Sequence, residues 1–214
     1  MLELFESNPL TMAAGMAALR RAAVKRVIVA SVACLFMAGP AVAAEPGHPC
    51  QQCHGPTGDS VSPIYPRLNG QQAAYLAAQL KAFRGHRRDD TRARGYMWVV
   101  AHDLSDKAID EAAKHFANQK PTQPQTGGTL AAEGEAIFMN GDRAKGIAAC
   151  QQCHGRSGEG AGSVPRIAGQ HSAYFRMVMG GFRDGLRKNE SMRSVTKNMT
   201  DRQIEALSSY LSND

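Results

Sequence analysis

The sequence predicts an all-α protein made of two copies of one small domain. Three observations carry this prediction. A seven-residue motif around Cys50 returns around Cys150. In both copies, apolar residues recur three and four positions apart, which is the spacing of a helix with one buried face. No stretch stands out in which apolar and polar residues alternate as they do in a half-buried strand.

The composition indicates small globular units and excludes several other classes of protein. Of the 214 residues, 43% are apolar and 21% are charged, which excludes a disordered polar chain and a multi-pass membrane protein. The formal charge is +6, without the basic stripe and interleaved aromatic residues that indicate nucleic-acid binding. Only 6% of the residues are aromatic, so we expect a bound group to fill part of each core.

Residues 1–44 have the order of a secretory signal peptide. Four basic residues precede an apolar run at 27–39, and small residues follow at 41–44. A start at Met16 instead of Met1 would give a leader of the usual length. The apolar run is shorter than the roughly 20 residues that cross a bilayer as a helix. We therefore expect a periplasmic protein that meets a membrane only through its partners or an uncleaved leader.

The two copies match over most of their length. Pro49–Gly55 corresponds to Ala149–Gly155 at an offset of 100, and Pro66–Gln71 corresponds to Pro165–Gln170 at an offset of 99. Single residues extend the match, with Tyr75, Phe83, Gly85 and Arg87 paired with Tyr174, Phe182, Gly185 and Arg187. The last part of each copy aligns at an offset of 95. These matches predict domains at 45–118 and 129–214, joined by a linker at 119–128 that is rich in Gln, Pro, Thr and Gly.

Helical periodicity accounts for the regular structure within each copy. The predicted buried faces consist of Leu76, Leu80 and Phe83 in one helix, Ile109, Ala113 and Phe116 in another, and Ile204, Leu207 and Leu211 in the last helix. Thr200 and Gln203 have the spacing of a capping box at the start of that last helix.

The repeated Cys-x-x-Cys-His motif carries the chemistry. It indicates covalent haem attachment, in which two thiols form thioethers and the adjacent histidine reaches the iron. A paired zinc site would need its two Cys pairs about 15 to 20 residues apart, and these pairs lie about a hundred apart. A redox dithiol would need a βαβ surround, and a disulfide between residues three apart would be strained. We therefore expect two haems c, with His54 and His154 as iron ligands.

A second axial ligand is expected in each copy. Met97 is the only methionine of the first copy that follows His54. Four methionines follow His154, and of these Met192 occupies the repeat position of Met97. His102 is the rival ligand for the first haem. The other histidines of the mature chain (His48, His86, His115 and His171) have no histidine as repeat partner and are interpreted as surface or packing residues.

The motif, the methionines and the tandem repeat together resemble the class I cytochromes c, in the dihaem form of the cytochrome c4 type. The resemblance covers nearly all of residues 45–214 and implies a helical fold wrapped around each haem. It implies thioether attachment through Cys50, Cys53, Cys150 and Cys153, and the axial pairs His54/Met97 and His154/Met192. It further implies that the carbonyls of Pro66 and Pro165 accept hydrogen bonds from the proximal histidines, and that Leu68 and Ile167 pack on the haems.

The two copies are unequal when compared with that family. The second copy has Gly134 and Phe138 in a first helix, and Leu207 and Tyr210 to meet them in its last helix. The first copy has too few residues between the leader and Cys50 for such a helix, and it carries Ala112 and His115 at the facing positions. We expect the first domain to lack this helix and to be covered partly by the second domain or by a partner.

Two filled axial positions leave no site for a substrate, so no catalytic residue is expected. The resemblance implies a carrier between a quinol-oxidising complex and a terminal oxidase. The alternative is a cytochrome subunit of a periplasmic dehydrogenase, or a redox enzyme with one weakly ligated iron. An arginine-rich stretch at 83–95 is either a solvated loop, a neutraliser of haem propionates, or a docking face for an acidic partner.

Overall fold

The computed structural model describes residues 48–214, so the predicted signal peptide at 1–44 lies outside the described residues. Nine α-helices occur in this part of the chain: α1 His48–His54, α2 Ala73–Arg84, α3 Trp98–Ala101, α4 Asp106–Ala117, α5 Ala131–Asn140, α6 Gln151–His154, α7 Ser172–Arg183, α8 Glu190–Thr196 and α9 Asp201–Leu211. A π-helical turn, Ala93–Met97, precedes α3, and a 3₁₀ turn, Arg143–Lys145, lies between α5 and α6. Between residues 48 and 214 the only β-structure is three isolated bridges, and the all-α prediction is confirmed. Within the same range, no helix is long and apolar enough to cross a membrane.

The repeat is visible in the order of the helices. Helices α1, α2, α3 and α4 correspond to α6, α7, α8 and α9, and both repeats belong to one structural unit. The predicted buried faces are confirmed except at Leu80, which is only half-buried. Leu76 and Phe83 are buried in α2 and Ile109 is buried in α4. The capping box is present, because Thr200 accepts from the Gln203 backbone and the Gln203 side chain accepts from the Thr200 backbone.

The second repeat has a continuous core built on the crossing of α5 and α9. Gly134 permits this crossing, because a Cβ at that position would lie 2.0 Å from the carbonyl oxygen of Ala206. Phe138 is fully buried, Leu207 is almost fully buried, and the rings of Phe138 and Tyr210 are 5.5 Å apart. The contact that the sequence predicts between the first and last helices of the second repeat is therefore formed.

The first repeat has a smaller core in two separate parts. One part centres on Leu76, Ala113 and Phe116, and the other on Phe83, Ala93 and Ala101. At the positions of Leu207 and Tyr210 lie Ala112 and His115, and His115 contacts the carbonyl oxygen of Pro56 at 3.2 Å. The described part of the first repeat therefore contains no counterpart of the α5/α9 crossing.

Reciprocal hydrogen bonds join the two repeats. The Gln170 side chain accepts from the Arg67 backbone N–H at 2.9 Å and donates to the Arg67 carbonyl at 3.1 Å. The Gln71 side chain forms the same pair with the backbone of Arg166, at 2.7 and 2.8 Å. Since Arg67 and Gln71 are the repeat partners of Arg166 and Gln170, the interface has approximate two-fold symmetry.

A second pair of equivalent contacts corrects the sequence alignment at one point. Arg88 donates to the hydroxyl of Tyr174 at 3.4 Å, and Arg187 donates to the hydroxyl of Tyr75 at 2.9 Å. Arg187 is thus equivalent to Arg88 and not to Arg87, and the pairing of Arg87 with Arg187 was wrong.

The backbone explains why the alignment failed there. His86 has φ of 55°, in the left-handed region, and Gly185 takes the same region with φ of 74°. The structural partner of Gly185 is therefore His86, not Gly85, and the offset of 99 continues through this turn. The ring of His86 stacks on Trp98 with centroids 4.0 Å apart, so the left-handed histidine also has a packing contact.

The linker is held against both repeats. Asn69 donates to the carbonyl oxygen of Lys120 at 2.8 Å and to the Thr122 hydroxyl at 2.9 Å. From the second repeat, Arg166 donates to the Thr122 carbonyl at 3.1 Å. Its composition favours a loose connection, but its backbone polar groups are bonded at the interface.

Replacing Gly134 by alanine should destabilise the second repeat. The added methyl group would overlap the α9 backbone, and overpacking of this kind costs about 1–3 kcal/mol. Urea unfolding of the purified protein, followed by circular dichroism, measures the change. The matched control is Glu135→Ala on the exposed face of the same helix, which we expect to change stability by less than about 0.5 kcal/mol. Equal stability of Gly134→Ala and the control would contradict the close crossing.

Asp90 should make the stability of the inter-repeat network depend on pH. Burial raises the pKa of Asp90, but the charge and hydrogen bond of Arg88 outweigh it, so the net pKa lies below its usual value. A lowered carboxyl pKa contributes stability above about pH 4, which is lost as the pH falls through the folded pKa.

We therefore expect Asp90→Asn to cost about 1–3 kcal/mol at pH 7 and progressively less below pH 4, as measured by urea unfolding across that range. Asp103→Asn, which changes an exposed carboxylate, is the control and should leave stability unchanged at every pH measured. A difference between Asp90→Asn and the unsubstituted protein that stays constant down to pH 3 would contradict the role given to this carboxylate.

Candidate functional site

Each Cys-x-x-Cys-His motif forms one helical turn with one inward and one outward thiol. In α1, Cys50 is half-buried against the cluster of Leu76 and Phe116, whereas Cys53 is exposed. Cys150 and Cys153 repeat this arrangement at the start of α6 and within it. Residues three apart lie on the same side of a helix, so both thiols of a motif can face one flat group.

The histidine of each motif is buried and fixed by a backbone carbonyl. The Nδ1–H of His54 donates to the carbonyl oxygen of Pro66 at 2.8 Å, and that of His154 donates to the carbonyl of Pro165 at 2.9 Å. A carbonyl oxygen only accepts, so the proton lies on Nδ1 and the lone pair of Nε2 is free to bind a metal. Burial lowers the pKa of both imidazoles against the opposing effect of these bonds, which favours the neutral, ligating form.

A glycine turn sets the position of each proline carbonyl. The carbonyl of Gly58 accepts from the Leu68 N–H at 2.8 Å, and the carbonyl of Gly158 accepts from the Ile167 N–H at 2.8 Å. Gly58 has φ of 81°, and a Cβ there would lie 2.7 Å from the ring of Phe116. The turn therefore requires glycine both for its backbone conformation and for its close approach to α4.

The cysteines lack the properties of a redox dithiol. Burial raises the pKa of Cys150 to about 11 and also raises the pKa of Cys50, whereas a reactive dithiol needs a lowered thiol pKa. None of the four described cysteines forms a disulfide. In residues 48–214, no three His, Cys, Asp or Glu side chains converge as a metal cluster, so the two motifs do not combine into one zinc site.

The structure places the predicted methionines beside different cores. Met97 ends the π-helical turn and packs against the cluster of Phe83 and Ala101. Met192 lies in α8 and packs against the core of the second repeat. The rival ligand His102 is 70% exposed and lies 3.7 Å from the carboxylate of Asp103, so it faces solvent.

The apolar residues predicted to flank the haems lie next to the inward thiols. Leu68 packs against the cluster that includes Cys50, and Ile167 packs against the core that includes Cys150. His171 is a buried packing residue, as its lack of a repeat partner suggested. Its Nε2 donates to the Ser60 carbonyl at 2.8 Å across the interface between the repeats.

Sequence reasoning missed the residues that join the two sites. Arg67, Gln71, Arg166 and Gln170 were recognised as repeated, but no role was given to them. The signal was present, because an arginine and a glutamine recur on either side of a turn glycine that both copies share. A repeated glutamine that pairs with the backbone of the other copy is the kind of contact that two-fold symmetry produces.

Comparison with known proteins gives a consistent result. A family model described as Cytochrome c matches residues 131–213. The chain is 43% identical to Cytochrome c-552 of Acidithiobacillus ferridurans over 166 residues, which are 76% of this chain and 72% of that protein. It is 36% identical to the thiosulfate dehydrogenase electron acceptor of Thiomonas intermedia over 199 residues, covering 87% of this chain and 90% of that protein.

A solved structure matches both repeats. The structure of cytochrome c4 from Acidithiobacillus ferrooxidans is similar to this chain with a TM-score of 0.72 and 43% identity. The match covers 76% of this chain and 96% of that chain.

Proposed function

This chain belongs to the dihaem cytochrome c4 family, and from that premise we propose that it is a periplasmic carrier between a quinol-oxidising complex and a terminal oxidase. It is an electron-transfer protein with two covalently bound haems c, as the sequence predicted. One observation carries the proposal. In each repeat, a buried histidine has its Nε2 lone pair free next to the two thiols of the same motif.

The residues present fit a haem in each repeat. Each bound haem would supply an iron that changes between the ferrous and ferric states by one electron. Cys50, Cys53, Cys150 and Cys153 would hold the two macrocycles by thioether bonds. His54 and His154 would bind the irons through Nε2, with Leu68 and Ile167 excluding water beside the inward thiols.

Met97 and Met192 would complete the axial positions. A thioether ligand stabilises ferrous iron and so favours a high reduction potential. With a histidine and a methionine bound to each iron, no position would be left for a substrate, and electrons would pass between protein surfaces without bond formation. This supports a carrier without catalytic residues.

The inter-repeat hydrogen bonds suit a relay. They fix the two motifs relative to each other, so an electron can pass between the repeats without movement of one repeat against the other.

The excess of positive charge between the repeats also suits haem. Arg88 and Arg187 lie between the repeats with one carboxylate, Asp90, so their positive charge exceeds the negative charge beside them and would suit an anionic haem substituent.

A second candidate function is supported by the relative from Thiomonas intermedia, which is named as the electron acceptor of thiosulfate dehydrogenase. In that case this chain would accept electrons from a periplasmic dehydrogenase. The two functions are separated by mixing the oxidised protein with a reduced quinol-oxidising complex, or with thiosulfate and its dehydrogenase. The donor that reduces it within the turnover time of the donor enzyme identifies the function.

The ligand assignment predicts how the reduced protein responds to carbon monoxide. The unsubstituted protein should contain two haems per chain, and its spectrum should not change when the gas is added, because neither iron is open. Met97→Ala or Met192→Ala should each open one iron and shift the spectrum of half of the haem. The spectrum and the haem-to-protein ratio are measured on the same samples.

Met177→Ala is the matched control, since Met177 also follows His154 but lies away from the aligned position. It should leave the spectrum insensitive to the gas. A shift in the unsubstituted protein would contradict the two filled axial sites and would favour a redox enzyme. A response of Met177→Ala equal to that of Met192→Ala would show that the repeat alignment chose the wrong methionine.

A further inference from the structure

Four large apolar side chains of the first repeat are exposed at positions where the second repeat has small residues. Val61 is 98% exposed, Val99 is 78% exposed, and Ile64 and Tyr96 are each about half exposed. At the aligned positions the second repeat carries small residues, namely Gly160, Ser163, Ser191 and Ser194. These four side chains lie in two segments, 60–65 and 92–101, and we call their exposed apolar surface the apolar face. The large apolar side chain that the second repeat exposes, Leu186, lies outside the corresponding segments.

Contacts join these two segments. Arg92 donates to the carbonyl oxygen of Ile64 at 2.9 Å, and the rings of Tyr65 and Tyr96 are 6.3 Å apart. Tyr96 and Val99 are three positions apart on consecutive helical turns and so lie on the same side. The exposed apolar residues thus belong to a shared surface.

The apolar face lies next to the first haem attachment motif. Tyr65 is beside the thiol of Cys53, and its ring centroid is 6.1 Å from that of His54. The second repeat has Val164 in place of Tyr65. An insertion in the first repeat also contributes to the face. The offset between the repeats falls from 99 at Asp90 to 95 at Met97, so the first repeat has four more residues there. The additional residues form the π-helical turn that carries Tyr96.

The charges at this surface are positive. Segments 60–65 and 92–101 contain Arg92 and Arg94 but no Asp or Glu. Arg94 lies 3.8 Å from the carboxylate of Asp89, which also contacts Lys188 at 3.1 Å, so one carboxylate is shared by two cations. Arg92 bonds to a backbone carbonyl.

The arginines of the stretch 83–95, which the sequence suggested for docking, fall into two groups. Arg84 and Arg88 are engaged within the fold, whereas Arg92 and Arg94 keep uncompensated charge beside the apolar face.

We propose that the apolar face is the docking surface for a redox protein whose own contact area is apolar and bordered by carboxylates. This inference rests on the proposed function, and it adds that the first repeat, not the second, exchanges electrons with that partner. When the partner docks, a ferrous haem of the first repeat gives up one electron, and the oxidised metal centre of the partner accepts it, without transfer of a proton or an atom. Apolar contact and opposite charge together suit a transient electron-transfer complex.

The experiment measures electron transfer from the reduced, haem-loaded protein to oxidised plastocyanin, an acidic blue-copper protein, by stopped-flow absorbance. The variant V61A/I64S/V99S replaces three exposed apolar side chains of the first repeat by small residues, as the second repeat has at these positions. We expect it to lower the second-order rate constant about tenfold. The rate constant of the unsubstituted protein should also fall as salt rises. Ferricyanide, a small oxidant without an apolar face, should react with the variant and the unsubstituted protein at equal rates.

Leu186→Ser is the matched control, because Leu186 is 63% exposed in the second repeat. It should react with plastocyanin like the unsubstituted protein. The reverse change, S191Y/S194V, tests sufficiency and should raise the rate through the second repeat in the background of the triple variant.

Several results would overturn the proposal. They are equal plastocyanin rates for the triple variant and the unsubstituted protein, an equal loss in Leu186→Ser, or transfer to ferricyanide without transfer to plastocyanin. Sedimentation would also overturn it if the unsubstituted protein were a dimer and the triple variant a monomer, because a second copy would then occupy the face. Failure of the carrier function itself is distinguishable, since the unsubstituted protein would then react with neither oxidant.

Discussion

A single short segment in each repeat links the metal-binding histidine to the other repeat. In the first repeat this segment is Pro66–Gln71. Its proline carbonyl accepts from His54, and the next residue, Arg67, presents its backbone to Gln170. Gln71 closes the segment by pairing with the backbone of Arg166. Any shift of the inter-repeat contact would therefore move the carbonyl that orients the imidazole. The geometry of the haem sites thus depends on the geometry of the interface.

This coupling explains how the first repeat can exist with a small core. It lacks, in its described part, the helix crossing that buries Phe138 and Leu207 in the second repeat. Each inter-repeat hydrogen bond contributes only about 1 kcal/mol net, but the reciprocal pairs bury four backbone groups that would otherwise need water. The linker adds to them, because its carbonyls accept from Asn69 in one repeat and Arg166 in the other. The second repeat thus serves as part of the scaffold of the first.

Much of the fold followed from the sequence because it depends on local patterns. Apolar spacing placed the buried faces of α2, α4 and α9, and the motif fixed the roles expected of the cysteines and histidines. The contact of the proximal histidines with Pro66 and Pro165 was implied by resemblance and is formed at normal hydrogen-bond distances. The inter-repeat pairs were not predicted, because a side chain that bonds to a distant backbone leaves no periodic signal. The alignment also failed at His86, since a non-glycine residue in the left-handed region is uncommon and cannot be inferred from composition.

The apolar face shows a second feature that sequence patterns cannot predict, namely which apolar residues remain exposed to solvent. Val61 and Val99 have the residue type of a core position, and only the three-dimensional structure places them in solvent. Exposed apolar area is unfavourable in water, so its presence at one repeat and its replacement by small residues at the other is not explained by folding. A carrier must both form and release its complexes, which favours a small apolar contact with charges at its border over a large one. The second repeat, with its complete core, supplies stability, and this leaves the surface of the first repeat free to be shaped by binding.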